Sequence, residues 1–166
     1  FSVAVLDGDE VVIIGRSGFE WKPSSDTKSA PARVLAYGLH LGARLPAHAT
    51  STGRVLLAAK AKGEFSAWLK AKTEHGNLPR LTLHTTTDPR KFKALVEKVR
   101  MDDFCLASEE HELGVHALAV PLRDMQGHTV AALNVVSSSQ RLRGEVLQKE
   151  MLPLLLDGAR ELRSLL

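Results

Sequence analysis

At 166 residues, with 44% hydrophobic and 25% charged side chains, the chain has the length and composition of one globular domain with a sizeable core. Its 22 basic residues nearly balance 19 acidic ones, giving a net charge of +3 with no arginine-rich cluster, which argues against a nucleic-acid surface on these residues. A single cysteine, Cys105, excludes an intrachain disulfide and a cysteine-based zinc site, and no apolar run is long enough to cross a bilayer. A soluble protein of the reducing cytoplasm is therefore expected. The start, FSVAVLDGDE, lacks the features of a signal peptide; opening on Phe1, without Met and inside a strand pattern, it reads as part of a longer protein.

Phe1, Val3 and Val5 alternate with smaller residues, Asp7-Gly8-Asp9 supplies a turn, and Val11 to Ile14 is β-branched, which predicts an antiparallel hairpin. Residues 17–31 (SGFEWKPSSDTKSAP) read as a long polar loop carrying Phe19 and Trp21, either a binding loop or a plain excursion, and residues 33–41 as a third strand. In residues 42–59 (GARLPAHATSTGRVLLAA), Thr50, Ser51 and Thr52 are helix-capping side chains ahead of an apolar run, so a loop ends there at the start of a buried helix. Gly63 is the expected stop of that helix. A second helix through Phe65, Trp68 and Leu69 should end by Gly76 and Pro79, and Asp88-Pro89 should open a third with Phe92, Leu95, Val96 and Val99 on one face. A short strand over 103–107, an acidic connector (SEEHELG, 108–114), strands over 115–122 and 129–136, and a closing helix from Arg143 with Pro153 inside it complete the chain. The two later strands carry apolar residues on both faces, so the sheet should be covered on both sides. The order is that of an α+β domain built on an antiparallel sheet flanked by helices.

A helix start presents unpaired N–H groups and a partial positive charge, and the hydroxyls of Thr50, Ser51 and Thr52 add donors, so a small carboxylate fits there; Gly53 would admit a ligand close to the backbone. On local chemistry alone, a well-capped core helix is the simpler account of the same residues. No nucleophilic triad is convincing: Ser51 lacks the G-x-S-x-G elbow, and Cys105 lies in an apolar strand as an inert thiol. Glu109, Glu110, His111 and His116 are close in sequence but match no metal-specific spacing, and no nucleotide-binding glycine motif occurs, so neither metal nor cofactor is expected. Asn134 interrupts an apolar strand and needs hydrogen-bond partners, internal or on a ligand; Tyr37 and His116 pose the same question.

The stretch LGARLPAHATSTGRVLLA resembles the signature of the effector-binding domain of the isocitrate lyase regulator (IclR) family of bacterial transcription factors, and SEEHELGVHALAVPL resembles the family's second signature at the corresponding distance. The hairpin ending in AALNVVSSS and the closing helix also fit, so the likeness covers nearly the whole chain, and its overall look is nearest to the regulators of protocatechuate and p-hydroxybenzoate catabolism. The resemblance implies a GAF-like domain that is not catalytic, spanning residues 1–166. It further implies an N-terminal winged helix-turn-helix outside this chain that contacts DNA, assembly as a homodimer or homotetramer, and a small organic acid as effector.

The pocket so implied lies at Ser51, Thr52 and Gly53, with Val34 and Tyr37 upstream, Ala107, Ser108, Val115, His116 and Ala117 from the second signature, and Asn134 and Val136 on the last strand. Tyr37, Ala107 and Ala117 suggest a roomier and less acidic lining than keto-acid sensors carry, favouring an aromatic carboxylate. Part of 17–31 is longer than the family pattern and is expected to cover the pocket or extend an oligomer contact. A GAF-like enzyme acting on small metabolites, which would need redox cysteines, and a pure oligomerisation module remain as alternatives.

Overall fold

The computed structural model describes residues 1–17, 40–140 and 143–166. It opens with the expected hairpin, β1 (Ser2–Asp7) and β2 (Glu10–Arg16), turning at Gly8 with a φ of +63° that a side chain would disfavour. Residues 33–39 of the strand expected over 33–41, with Val34 and Tyr37, and most of the loop carrying Phe19 and Trp21 lie outside the described residues, while His40 and Leu41 form a bend and a turn rather than strand. A three-residue strand, β3 (Arg44–Pro46), then pairs with β2, inside the segment read from sequence as irregular loop. A 3-10 turn (Ala47–Ala49) leads to α1 (Ser51–Ala59), followed by α2 (Lys62–Lys72) and α3 (Pro89–Asp102). β4 (Cys105–Ser108), β5 (Val115–Arg123) and β6 (Thr129–Ser138) form the second half of the sheet, and α4 (Gly144–Leu162) closes the chain.

The sheet is six-stranded in the order β3-β2-β1-β6-β5-β4, and every neighbouring pair is antiparallel. Pairing of β1 with β6 joins the two hairpins into one surface. Period-two alternation sends Ala4, Ala119 and Ala132 to a core shared with Leu57 of α1 and Phe92 and Val96 of α3, and Leu118, Val120 and Leu122 to a second core with Leu147 and Leu155 of α4. The sheet is covered on both sides, as its apolar strands require.

Three boundaries differ from the sequence reading. Gly63 does not stop α1 but lies in the first turn of α2; α1 ends because Lys60 and Ala61 are extended, and Arg100 Nη1 donates to the Lys60 carbonyl at 2.9 Å. α2 stops at Lys72, before Gly76, where Thr73 Oγ1 donates back to the Leu69 carbonyl at 2.7 Å. Asp103 caps α3 with a φ of +63°, so the next strand starts only at Cys105. The α3 start is as read: Asp88 accepts from the Lys91 N–H at 2.9 Å and Pro89 takes the first helical position.

Candidate functional site

The start of α1 is fixed by Thr50. Its Oγ1 accepts from the Gly53 N–H at 3.2 Å and donates to the Pro46 carbonyl at 3.1 Å, tying the helix to the end of β3. The N–H groups of Ser51 and Thr52 precede the first intrahelical acceptor and remain available. Gly53 serves a different purpose from the one its position suggested. A Cβ there would lie 2.1 Å from the Ala47 carbonyl oxygen, so glycine lets the chain cross over its own 3-10 turn rather than admitting a ligand.

Between the α1 start and the sheet lies a cleft that opens to solvent, about 610 Å³ when the open mouth is counted. Its apolar walls are Ile13 of β2, Leu45 of β3, Ala107 of β4, Val115 and Ala117 of β5 and Val136 of β6. Strand register explains the floor: Ala107, Ala117 and Val136 are successive cross-strand partners, and two alanines in that row leave open space. The next row contains Asn134, flanked by Ala119 and by Ser2, whose Oγ donates to Asn134 Oδ1. That bond occupies the Asn134 carbonyl oxygen, and the residue, only 5% exposed, lines the cleft. Thr50, Ser51 and Thr52 also line the cleft, and the Ser51 hydroxyl, in a residue 1% exposed, makes no hydrogen bond among the described residues.

Of the residues expected at the pocket, the structure brings Ser51, Thr52, Ala107, Val115, Ala117, Asn134 and Val136 to this cleft. Gly53 sits one position deeper. Ser108 and His116 face away: they are cross-strand partners on the α4 side of the sheet, where a Cβ on Gly144 would meet Ser108 Oγ at 3.0 Å and His116 Nδ1 at 3.7 Å. The reason is alternation, since neighbours of Ala107 and Ala117 must point to the opposite face. Val34 and Tyr37 lie outside the described residues.

The remaining wall is the acidic connector, through Glu110, His111 and Glu112, so the lining is more acidic than the sequence reading expected. Glu110 is balanced by Arg54, whose side chain is fully buried. Two guanidinium nitrogens of Arg54 donate to the two Glu110 carboxylate oxygens at 2.5 Å each, its Nε donates to the His48 carbonyl at 2.9 Å, and its Cζ lies 5.8 Å from the Phe92 ring centre. Burial pushes the Glu110 carboxyl upward, but the Arg54 bonds and charge outweigh it and hold its pKa below the ordinary carboxylate value. Burial lowers His111, with Glu112 opposing, and lowers His48, whose Nε2 donates to the Pro79 carbonyl at 2.8 Å. Arg54 is thus occupied structurally, and positive potential in the cleft comes from the α1 start.

Arg54 was not singled out from sequence, although a charged residue inside the buried run STGRVLLAA signals that a counter-charge must lie nearby. Ile13, Leu45 and Ala49 gave no signal. Among the described residues no group of three or more His, Cys, Asp or Glu is arranged to hold a metal, and no helix is long and apolar enough to cross a membrane.

An apolar cleft closed by a helix start, set on an antiparallel sheet between helices, defines a ligand-binding domain of GAF-like α+β architecture, and the chain belongs to the IclR family. The family model described as bacterial transcriptional regulator IclR C-terminal matches residues 2–164. The chain is 46% identical over 165 residues to the p-hydroxybenzoate hydroxylase transcriptional activator of Acinetobacter baylyi (strain ATCC 33305 / BD413 / ADP1), covering 99% of this chain and 57% of that protein. It is also 46% identical over 166 residues to the Pca operon regulatory protein of the same organism, covering 100% and 55%. The crystal structure of a double mutant of the PobR transcription factor inducer-binding domain from Acinetobacter, in complex with 3-hydroxybenzoic acid, matches with a TM-score of 0.83 and 45% identity, covering 99% of this chain and 87% of that one. The chain spans little more than half the length of the curated relatives it matches.

Proposed function

We propose that this chain is the effector-sensing part of a bacterial transcriptional regulator, binding a small aromatic carboxylate of the hydroxybenzoate type in the cleft. Within a longer polypeptide that assembles as a homodimer or homotetramer, occupancy of the cleft alters operator binding by a winged helix-turn-helix domain. One observation carries the reading: polar groups with no acceptor among the described residues line an apolar cleft. The Ser51 hydroxyl, the Asn134 amide and the first N–H groups of α1 suit a carboxylate, and Ile13, Leu45, Val115 and Val136 suit a ring. The relatives named for p-hydroxybenzoate and 3-hydroxybenzoic acid support the same ligand class, and the family consists of regulators rather than enzymes. By linkage, effector and operator must influence each other's binding equally.

Calorimetric titration with 3-hydroxybenzoate, 4-hydroxybenzoate, protocatechuate, a dicarboxylate and a keto acid tests the reading. At least one aromatic acid is expected to bind with one site per chain and more tightly than the aliphatic acids. A folded sample that binds none of them, or prefers the keto acid, overturns it.

A further inference from the structure

The connector that forms the fourth wall of the cleft contains neither helix nor strand, yet it is held at several points by a segment that does not touch the cleft. Thr82 Oγ1 donates to the Glu109 carbonyl at 2.6 Å, and Thr85 Oγ1 donates to the Glu110 carbonyl at 2.6 Å. The Thr86 N–H donates to Glu110 Oε1 at 2.9 Å, on the carboxylate that also receives Arg54. The clamp is itself preorganised: Thr85 Oγ1 accepts from the N–H groups of Leu81 at 3.1 Å and Thr82 at 2.9 Å, and Thr82 Oγ1 accepts from the His84 N–H at 3.0 Å. Its ends are pinned by the Leu78 N–H on the Thr87 carbonyl at 2.9 Å.

Glu109 has a φ of +56°, a left-handed conformation disfavoured for a residue with a Cβ, which persists only where neighbours impose it. Three contacts impose it: Thr82 Oγ1 donates to its carbonyl, its N–H donates to the Val115 carbonyl at 2.7 Å, and its carboxylate accepts from the Gly114 N–H at 2.8 Å. With Glu109 and Glu110 fixed in this way and Val115 fixed in β5, the intervening His111 and Glu112 have little choice but to face the cleft.

We infer that Thr82 and Thr85 are positioning residues for ligand selection: without lining the cleft, their hydroxyls set the connector wall formed by Glu110, His111 and Glu112 and thereby the affinity of the site. The inference rests on the cleft being the ligand site proposed above. Affinity and selectivity among ring-substituted acids therefore depend on a segment that a comparison of lining residues alone would pass over. Thr85, 4% exposed, is the principal anchor, and Thr82 the one that holds the strained residue.

The test uses Thr82→Val, Thr85→Val and the hydroxyl-retaining Thr82→Ser and Thr85→Ser, each read in two ways. Hydrogen exchange on the ligand-free chain is expected to speed up at backbone amides 109–115 in the valine variants, with those of α1 and β6 unchanged and the serine variants close to the parent. Titration with 3-hydroxybenzoate or whichever panel acid the parent binds is expected to show roughly tenfold weaker binding in the valine variants, recovered in the serine ones. Unchanged exchange at 109–115 overturns the positioning role whether or not any acid binds. Faster exchange with unchanged affinity in a parent that binds overturns the role in ligand selection. A parent that binds no acid overturns the ligand reading, and this inference about affinity with it, while exchange still decides whether the hydroxyls hold the wall.

Discussion

Three positions near the α1 start illustrate how one backbone can impose opposite demands on adjacent side chains. At Gly53 even a methyl would meet Ala47 backbone atoms, including the carbonyl carbon at 2.6 Å, and neither segment can yield without moving the helix start. Gly53→Ala is therefore expected to lower stability by at least about 2 kcal/mol, measured by denaturant unfolding. Ser51 behaves differently. Its buried hydroxyl makes no hydrogen bond among the described residues, so Ser51→Ala should leave the ligand-free chain as stable or slightly more so, yet weaken carboxylate binding by about 1.5 kcal/mol or more, as judged by calorimetry. Cys105 completes the set: burial pushes its thiol up to about 11, with the neighbouring Arg54 charge opposing. A thiol-specific reagent at about pH 8 should leave Cys105 untouched until denaturant is added; prompt labelling of the native chain would contradict this burial.

At the scale of elements, the strands decide which side chains share the cleft. The apolar runs of β5 and β6, the capped start of α1 and the Asp88-Pro89 opening of α3 were legible in the sequence because each is a local pattern of two to ten residues. What depended on distant partners was not. Family resemblance located the second signature at the site, but only the alternation of VHALAVPL separates Ala117 from His116, and the face it selects is known once β5 is seated between β4 and β6. Arg54 needed a counter-charge, and its partner Glu110 lies 56 positions away, beyond any spacing rule. From sequence, Gly53 looks like a place for ligand approach, because the path of Ala47 beneath it is a tertiary fact. The β5 floor supplies a test of this layer. Ala117 lines the cleft in a row with Ala107, so Ala117→Leu should place its side chain in the open space and abolish binding of aromatic acids while circular dichroism and the thermal midpoint stay near the parent's.

For the whole molecule, the cleft matters because it spans both halves of the sheet. Ile13 and Leu45 come from one end, Ala107, Ala117, Asn134 and Val136 from the other, and Ser51 and Thr52 from the helix laid across them. A ligand seated there contacts units joined in the sheet by β1 and β6, so it should stabilise the domain as one cooperative body rather than one hairpin. Acid should act in the opposite sense. His48 and His111 have native pKa values lowered by burial, so the unfolded chain binds more protons, and stability is lost as pH falls below the ordinary histidine value of about 6.5. Glu110, also held low, keeps its contribution above the unfolded carboxylate value of about 4.3 and loses it only below that, through its lower native pKa. Thermal melts from neutral to acid pH should thus decline in two stages, and His111→Asn should reduce the first, leaving the His48 share, without altering the second. At neutral pH an aromatic acid present at about 100 times its dissociation constant adds roughly 2.7 kcal/mol. For a domain of this size that corresponds to a rise of about 5–10 °C in a single, still cooperative transition. A ligand that raised only part of a split transition would mean that the two hairpins unfold independently and that the cleft does not bridge them.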